Sequence, residues 1–225
     1  MNNFVGACVC VALLFLQTAC AVRLLPAPPV AQKATREMLK GLQLVGAMQR
    51  GSLVIYFRHA ATDRSQHEGT AEDLADCQHQ RNLSGRGVDD AMQIGDAMRM
   101  LHIPVGWVLS SGYCRTRDTA KIAFGRVDEL VPDLTGFPVE EKEHRTQTLK
   151  RLLATLPVSG TNTIIVAHGA NIASVIIGLS LKEGEAAVFL PNGKSFVLIG
   201  RVRPEEWQSL TQQTLVKGKS WHQKN

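Results

Sequence analysis

Two arginines and two histidines stand where a cluster of basic side chains could handle a phosphoryl group. Arg58 and His59 lie side by side directly after an apolar run of the chain. Arg115 follows a second apolar run, and His168 ends a third. Guanidinium groups match phosphate oxygens bidentately, and a histidine held in line with phosphorus can form a covalent phosphohistidine. Because arginine does not ligate metals, the same residues make a poor metal site, and no cofactor is expected.

The three apolar runs are typical of buried β-strands. They are "LVIYF" (53–57), "GWVLSS" (106–111) and "NTIIVAH" (162–168). Short continuous apolar runs of this length predict strands of a parallel sheet that is covered on both faces. Ligands of such sheets bind at the carboxyl ends of the strands. The basic residues that follow these runs are therefore expected to converge on one site.

Helical patterns separate the strands and complete the predicted fold. Ser84 can cap a helix that runs to Leu101, and the final strands form a predicted hairpin around "PNGK" (191–194). The alternation predicts an α/β fold, a three-layer α/β/α sandwich whose mostly parallel sheet has helices on both faces. The other predicted helices span 34–49, 115–124, 140–156 and 170–180.

Three blocks of this sequence resemble those of the histidine phosphatase superfamily, which has the phosphoglycerate mutase-like fold. "FRHAATD" (57–63) resembles its RHG signature, with Ala60 in place of the usual glycine. "VLSSGYCRTRDTA" (108–120) resembles its second block, and "IIVAHGANI" (164–172) resembles its third. The blocks occur in the family's order, each beside a predicted strand, and the resemblance spans roughly residues 53–202.

The resemblance assigns a role to each residue that matches these blocks. His59 would be the nucleophile, and Arg58, Arg115 and His168 would hold the phosphoryl oxygens. Two further residues are expected to line the substrate pocket, namely Thr62 and Asn171.

The proton donor for the leaving group is not fixed by these blocks. General acids of this kind are usually carboxylic acids. Gly169 excludes the arrangement in which an aspartate directly follows the second histidine. Glu185 is favoured because it adjoins a predicted strand. The alternatives are Glu183 and Asp133.

The resemblance implies a phosphomonoester hydrolase that acts through a phosphohistidine on His59. Only 53 positions separate Arg115 from His168, which resembles the small bacterial members and disfavours a phosphomutase. A binding module for phosphorylated ligands on the same fold is the other alternative. The expected substrate is a phosphorylated small molecule or glycolipid of the cell envelope.

The N-terminus predicts export from the cytoplasm. Residues 1–22 carry no charged side chain, and "ACA" (19–21) supplies the small residues of a cleavage site. We therefore expect a signal peptide at 1–21, a proline-rich spacer at 22–33 and a phosphatase domain at 34–225. An uncleaved membrane anchor or lipidation of Cys20 are alternatives, and membrane contact is expected only in those cases.

Two cysteines remain after the predicted leader, namely Cys77 and Cys114. Cysteines in an oxidising compartment tend to pair, whereas a reducing one would favour two unrelated core residues. In the family, the "R-x-L-S-x-x-G" run (81–87) lies near the active-site face, and Cys114 precedes Arg115. The resemblance therefore implies a disulfide that ties the 60–83 loop to the arginine-bearing segment.

The amino-acid composition excludes few other classes of protein. Apolar residues make up 44% of the 225 positions, as in ordinary globular proteins. The net charge of +5 suits anionic ligands but gives no specific support for nucleic-acid binding. The oligomeric state is open.

Overall fold

The computed structural model describes residues 38–68, 74, 76–135 and 141–222, with side chains up to residue 216. The predicted signal peptide and spacer lie outside these residues. Within the described ranges, no helix has the length and apolar content that a membrane crossing requires.

The described residues form one six-stranded sheet of mixed direction. Its strand order is β3-β2-β4-β1-β5-β6, in which β3, β2, β4 and β1 are parallel. The last two strands are antiparallel and form the predicted hairpin. The strands are β1 (Val54–Arg58), β2 (Val105–Ser110), β3 (Glu129–Leu130), β4 (Asn162–Ala167), β5 (Ala186–Pro191) and β6 (Phe196–Val202).

Helices cover both faces of this sheet. The α-helices are α1 (Gly41–Gln49), α2 (Gly85–Met100), α3 (Cys114–Phe124), α4 (Lys142–Ala154), α5 (Gly169–Val175) and α6 (Glu206–His222). Two short 3₁₀ segments, Cys77–His79 and Pro132–Leu134, lie in the loops. The predicted cap of α2 is present, because the Ser84 side chain accepts a hydrogen bond from the backbone N–H of Gly87.

The alternation of side chains along β1 divides the core into two layers. Ile55 and Phe57 face a cluster that α1, α2, α3 and α6 complete, with Trp207 of α6 at its centre. Val54 and Tyr56 face the opposite cluster, which α4 and α5 complete. All four of these β1 side chains are buried. The strand is therefore held on both sides, and its carboxyl end has little freedom to move.

The predicted three-layer α/β/α fold is confirmed, with differences in some helices. α1 begins at Gly41, because the backbone N–H of Leu39 donates to the carbonyl of Ile199 in β6 and holds Leu39 in extended backbone against the sheet. Residues 34–37 of the predicted helix lie outside the described residues. α5 ends at Val175 rather than at residue 180, where Ile176 turns to extended backbone. α6 was not predicted.

Candidate active site

The carboxyl ends of three neighbouring strands bring the predicted residues together. Arg58 ends β1 and is in register with Ala167 of β4, so His59 and His168 follow adjacent strand ends. Ser110 ends β2, and α3 begins at Cys114, which places Arg115 in the first turn of that helix.

These residues surround a cavity of about 370 Å³. Basic side chains form its floor and one wall, and small or apolar residues of α5 and the loop before β5 form the other wall. The lining residues are Arg58, His59, Glu68, Arg81, Arg115, His168, Gly169, Ala170, Ala173, Ser180 and Leu181.

His59 lies at the floor of the cavity, and its hydrogen bonding shows which ring nitrogen carries the proton. Its side chain is 3% exposed, and its Nδ1 lies 2.9 Å from the carbonyl oxygen of Ala60. A carbonyl oxygen only accepts hydrogen bonds, so Nδ1 must carry the proton and donate. Nε2 therefore keeps the lone pair that a nucleophile needs.

His168 faces His59 across the floor and is held from several sides. The two ring centroids are 5.4 Å apart. The Ser111 hydroxyl lies 3.0 Å from Nε2 of His168, and the Tyr113 ring packs edge-on against the imidazole at 5.1 Å. Behind it, the Tyr56 hydroxyl donates to the His168 carbonyl, and burial raises the pKa of Tyr56, which keeps this donor protonated.

Burial keeps both histidines neutral in the unliganded site. It lowers the pKa of His59 to about 3, and the positive charges of Arg115 and Arg58 act in the same direction. Burial also lowers the pKa of His168 well below 6.5, assisted by His59 and Arg115. The predicted nucleophile, His59, is thus already deprotonated at neutral pH, without a separate base.

Arg115 is the most enclosed cation of the cavity. Its guanidinium lies 4.2 Å from the centroid of the Tyr113 ring, and the residue is 3% exposed. Burial lowers its pKa, which Glu68 opposes, but an arginine remains charged at any physiological pH.

Arg58 is oriented by acceptors behind the cavity. Its Nη1 donates to the carbonyl of Leu181 at 2.9 Å, and its Nη2 lies 3.4 Å from Oε1 of Glu183. The Thr62 hydroxyl donates to the same Glu183 oxygen at 3.1 Å. Thr62 and Glu183 therefore meet at the side of Arg58, and neither is among the residues that line the cavity.

The other predicted polar residues lie beside the cavity. Asn171 is buried, and its Oδ1 accepts a hydrogen bond from the backbone N–H of His168. Glu185 is 2% exposed, and it pairs with Arg201 and accepts from the N–H of Lys182. Asp133 accepts from the Thr148 hydroxyl and pairs with His144 at α4.

The predicted disulfide between Cys77 and Cys114 is present. It joins the 60–83 loop to the first residue of α3, directly beside Arg115. A hydrogen bond from the Cys114 N–H to the Gln80 side chain reinforces the junction. Gly87 lets α2 approach the same loop, because a Cβ at this position would lie 1.9 Å from the carbonyl oxygen of Ala61.

Sequence reasoning missed two residues of the cavity, Glu68 and Arg81. The "R-x-L-S-x-x-G" run was expected near this face, and Arg81 is its arginine, so a signal for Arg81 was available. Glu68 lies in a stretch with no periodicity and no matching block. Among the described residues, no group of three or more histidine, cysteine or acidic side chains could hold a metal ion.

Comparison with known proteins identifies the fold. The chain matches no family model and no curated protein. The crystal structure of a SixA protein of Agrobacterium tumefaciens, assigned as a phosphohistidine phosphatase, is 17% identical with a TM-score of 0.50, over 68% of this chain and 99% of that one.

Two other solved structures are similar over comparable lengths. A protein histidine phosphatase SixA complexed with tungstate is 16% identical with a TM-score of 0.49, over 68% of this chain and 97% of that one. A phosphoserine phosphatase of Entamoeba histolytica, complexed with 3-phosphoglyceric acid, is 14% identical with a TM-score of 0.49, over 66% and 95% of the two chains.

The Agrobacterium structure establishes the class of fold. This chain has the same fold as that SixA protein, which is the phosphoglycerate mutase-like fold that the three sequence blocks predicted.

Proposed function

We propose that this protein hydrolyses phosphomonoesters through a phosphohistidine formed on Nε2 of His59. The observation that carries the proposal is the cavity itself. A neutral imidazole with a free Nε2 lies at its floor, and the guanidinium groups of Arg58, Arg81 and Arg115 surround it. Phosphoryl transfer needs mainly this combination of positioning and charge neutralisation.

Three arginines of the cavity also favour an anionic ligand with several oxygens. Arg58, Arg81 and Arg115 line the cavity, and guanidinium groups bind phosphate oxygens bidentately. Together with His168, these arginines are proposed to hold the phosphoryl oxygens while His59 attacks.

The proposed substrate is a phosphorylated small molecule or glycolipid outside the cytoplasm. The charge-free, apolar leader favours export. The Cys77–Cys114 disulfide supports the same location, because disulfides form and persist in oxidising compartments. Mass spectrometry of the mature protein from the native host would test whether the leader is cleaved. A chain that begins after residue 21 supports a cleaved signal peptide, and an intact or lipidated N-terminus would contradict it.

The decisive experiment compares hydrolysis of p-nitrophenyl phosphate by wild type, His59→Ala and His144→Ala, with EDTA present. His144→Ala is the matched control, because His144 is exposed on α4 and pairs with Asp133 of the Pro132–Leu134 segment. We expect full activity in the control and a loss of at least about 10³-fold in His59→Ala. Acid-labile phosphate on His59 of quenched wild type would demonstrate the intermediate. Phosphate binding without turnover by wild type would instead identify a binding module.

A further inference from the structure

Glu68 is the one carboxylic acid among the described residues that line the cavity. The carboxylic acids that the sequence suggested as proton donors do not line the cavity and have other partners. Glu185 is paired with Arg201, and Asp133 is paired with His144. Glu183 lies beside Arg58, with Thr62 as a further partner.

The Glu68 carboxylate forms ion pairs with two arginines of the proposed phosphoryl site. Its Oε1 is 2.6 Å from Nη2 of Arg115, and its Oε2 is 2.5 Å from Nη2 of Arg81. Its backbone carbonyl also accepts from Nη1 of Arg115 at 3.4 Å. The two carboxylate oxygens thus bridge two guanidinium groups, as two oxygens of a phosphoryl group would.

The difference in burial places Glu68 nearer the mouth of the cavity than His59. The Glu68 side chain is 54% exposed, whereas His59 at the floor is 3% exposed. In phosphoryl transfer the attacking and leaving atoms lie roughly in line on opposite sides of phosphorus. With Nε2 of His59 at the floor, the leaving oxygen must therefore point toward the mouth of the cavity, where Glu68 is.

We propose that Glu68 is the proton donor to the leaving oxygen, a role that rests on the proposed hydrolase function. The substrate enters as its monoanion, replaces the carboxylate on Arg115 and passes its proton to Glu68. Nε2 of His59 then bonds to phosphorus while the ester P–O bond breaks. The electron pair of that bond stays on the leaving oxygen, which takes the proton from Glu68 and departs as the alcohol.

The second half of the cycle returns the site to its starting state. Water attacks the phosphohistidine, and both of its protons stay on the phosphoryl group as the new P–O bond forms. The N–P bond breaks, its electron pair returns to Nε2 of His59, and dihydrogen phosphate leaves. The Glu68 carboxylate then pairs again with Arg115 and Arg81, ready for the proton of the next ester monoanion, and Arg81 acts as a positioning residue for the carboxyl group.

A proton donor matters most for substrates whose leaving group is a poor one. The assignment therefore predicts that Glu68 supports hydrolysis of alkyl phosphates, such as those of sugars and polyols. It matters little for p-nitrophenyl phosphate, whose phenolate leaves without protonation. A residue that merely binds the phosphoryl group would affect both esters equally, because that group is identical in them.

The test measures kcat and KM of wild type, Glu68→Gln, Glu68→Asp and the matched control Glu143→Gln with glycerol phosphate and p-nitrophenyl phosphate. Glu143 is exposed on α4, away from the cavity. We expect Glu68→Gln to lower kcat for glycerol phosphate about 10²–10⁴-fold. Its kcat for p-nitrophenyl phosphate should stay within a few-fold of wild type, and Glu68→Asp should recover part of the loss.

The possible outcomes separate the explanations. Equal losses with both esters would overturn the proton-donor role, and so would higher activity of Glu68→Gln, which would mark Glu68 as an obstructing anion. Full p-nitrophenyl phosphate activity in Glu68→Gln shows that the variant is folded. If wild type hydrolyses neither ester, the proposed function itself fails, and the role of Glu68 fails with it.

Discussion

The cavity is built from two regions that differ in how they are held. Arg58, His59, Arg115 and His168 form the strand-end half, where buried strands and the start of α3 fix each side chain. Glu68 and Arg81 form the loop half, which belongs to the 60–83 loop and is tied to the scaffold by a disulfide and a few hydrogen bonds. The strand-end half presents the predicted nucleophile and two guanidinium groups at the ends of buried elements. The loop half presents a carboxylate that is 54% exposed and is paired with Arg115 and Arg81.

Replacing one arginine in each half gives the largest expected contrast. Arg115→Lys removes a planar guanidinium that is buried and stacked on Tyr113, so we expect kcat/KM to fall about 10²–10³-fold, as when an oxyanion donor is lost. Arg81→Lys should cost about tenfold, roughly one charge-assisted hydrogen bond. Steady-state kinetics with p-nitrophenyl phosphate measures both. A larger loss in Arg81→Lys would reverse the ranking of the two halves.

Removing the disulfide tests what attaches the loop half. The bridge spans 37 positions, so Cys77→Ser with Cys114→Ser should lower the free energy of unfolding by roughly 3–4 kcal/mol in the chain-entropy model. Urea unfolding of the double variant and wild type measures this change.

The kinetics of the same variant show whether the disulfide also affects substrate binding by the loop half. If the loop half depends on the bridge, KM should rise in the double variant while His59 is still phosphorylated. Wild type treated with a reductant is the matched control and should behave alike. Unchanged KM in both would show that the hydrogen bonds around Gln80 suffice to hold the loop.

The strand-end half could be predicted from the sequence because its residues directly follow apolar runs that are recognisable as strands. An apolar run that stops at a basic residue marks both a strand and its carboxyl end, as at Arg58, and parallel strands bring such ends together. The three sequence blocks then gave His59, Arg115 and His168 their expected roles.

The loop half could not be predicted in the same way. No periodicity fixes the path of residues 60–68, so nothing in the sequence places the Glu68 carboxylate on Arg115. Glu185 shows the converse difficulty, because its position beside β5 suggested access to the site. The turn before β5 instead directs its side chain to Arg201 and the N–H of Lys182, where it is buried. In both cases the position of the carboxylate depends on an ion pair with an arginine that is distant in the sequence. The local spacing of residues does not predict such a pair.

The pH dependence of stability gives the smallest expected effect, and it belongs to the strand-end half. Burial lowers the pKa of His59 to about 3, whereas an unfolded histidine has a pKa near 6.5. Below pH 6.5 the unfolded chain therefore takes up a proton that the folded chain refuses. The free energy of unfolding should fall as pH drops from 6.5 toward 3, by about 1.4 kcal/mol per pH unit for this histidine.

Urea unfolding of wild type, His59→Gln and His67→Gln at pH 6 and pH 5, without phosphate, isolates this effect. His67 is exposed on the 60–83 loop, so His67→Gln is the matched control. The decline between the two pH values should be smaller in His59→Gln than in the other two proteins, by about 1.4 kcal/mol. Equal declines in all three would mean that His59 accepts a proton in the folded state. The strand-end half would then lack the preformed neutral nucleophile that sets it apart from the loop half.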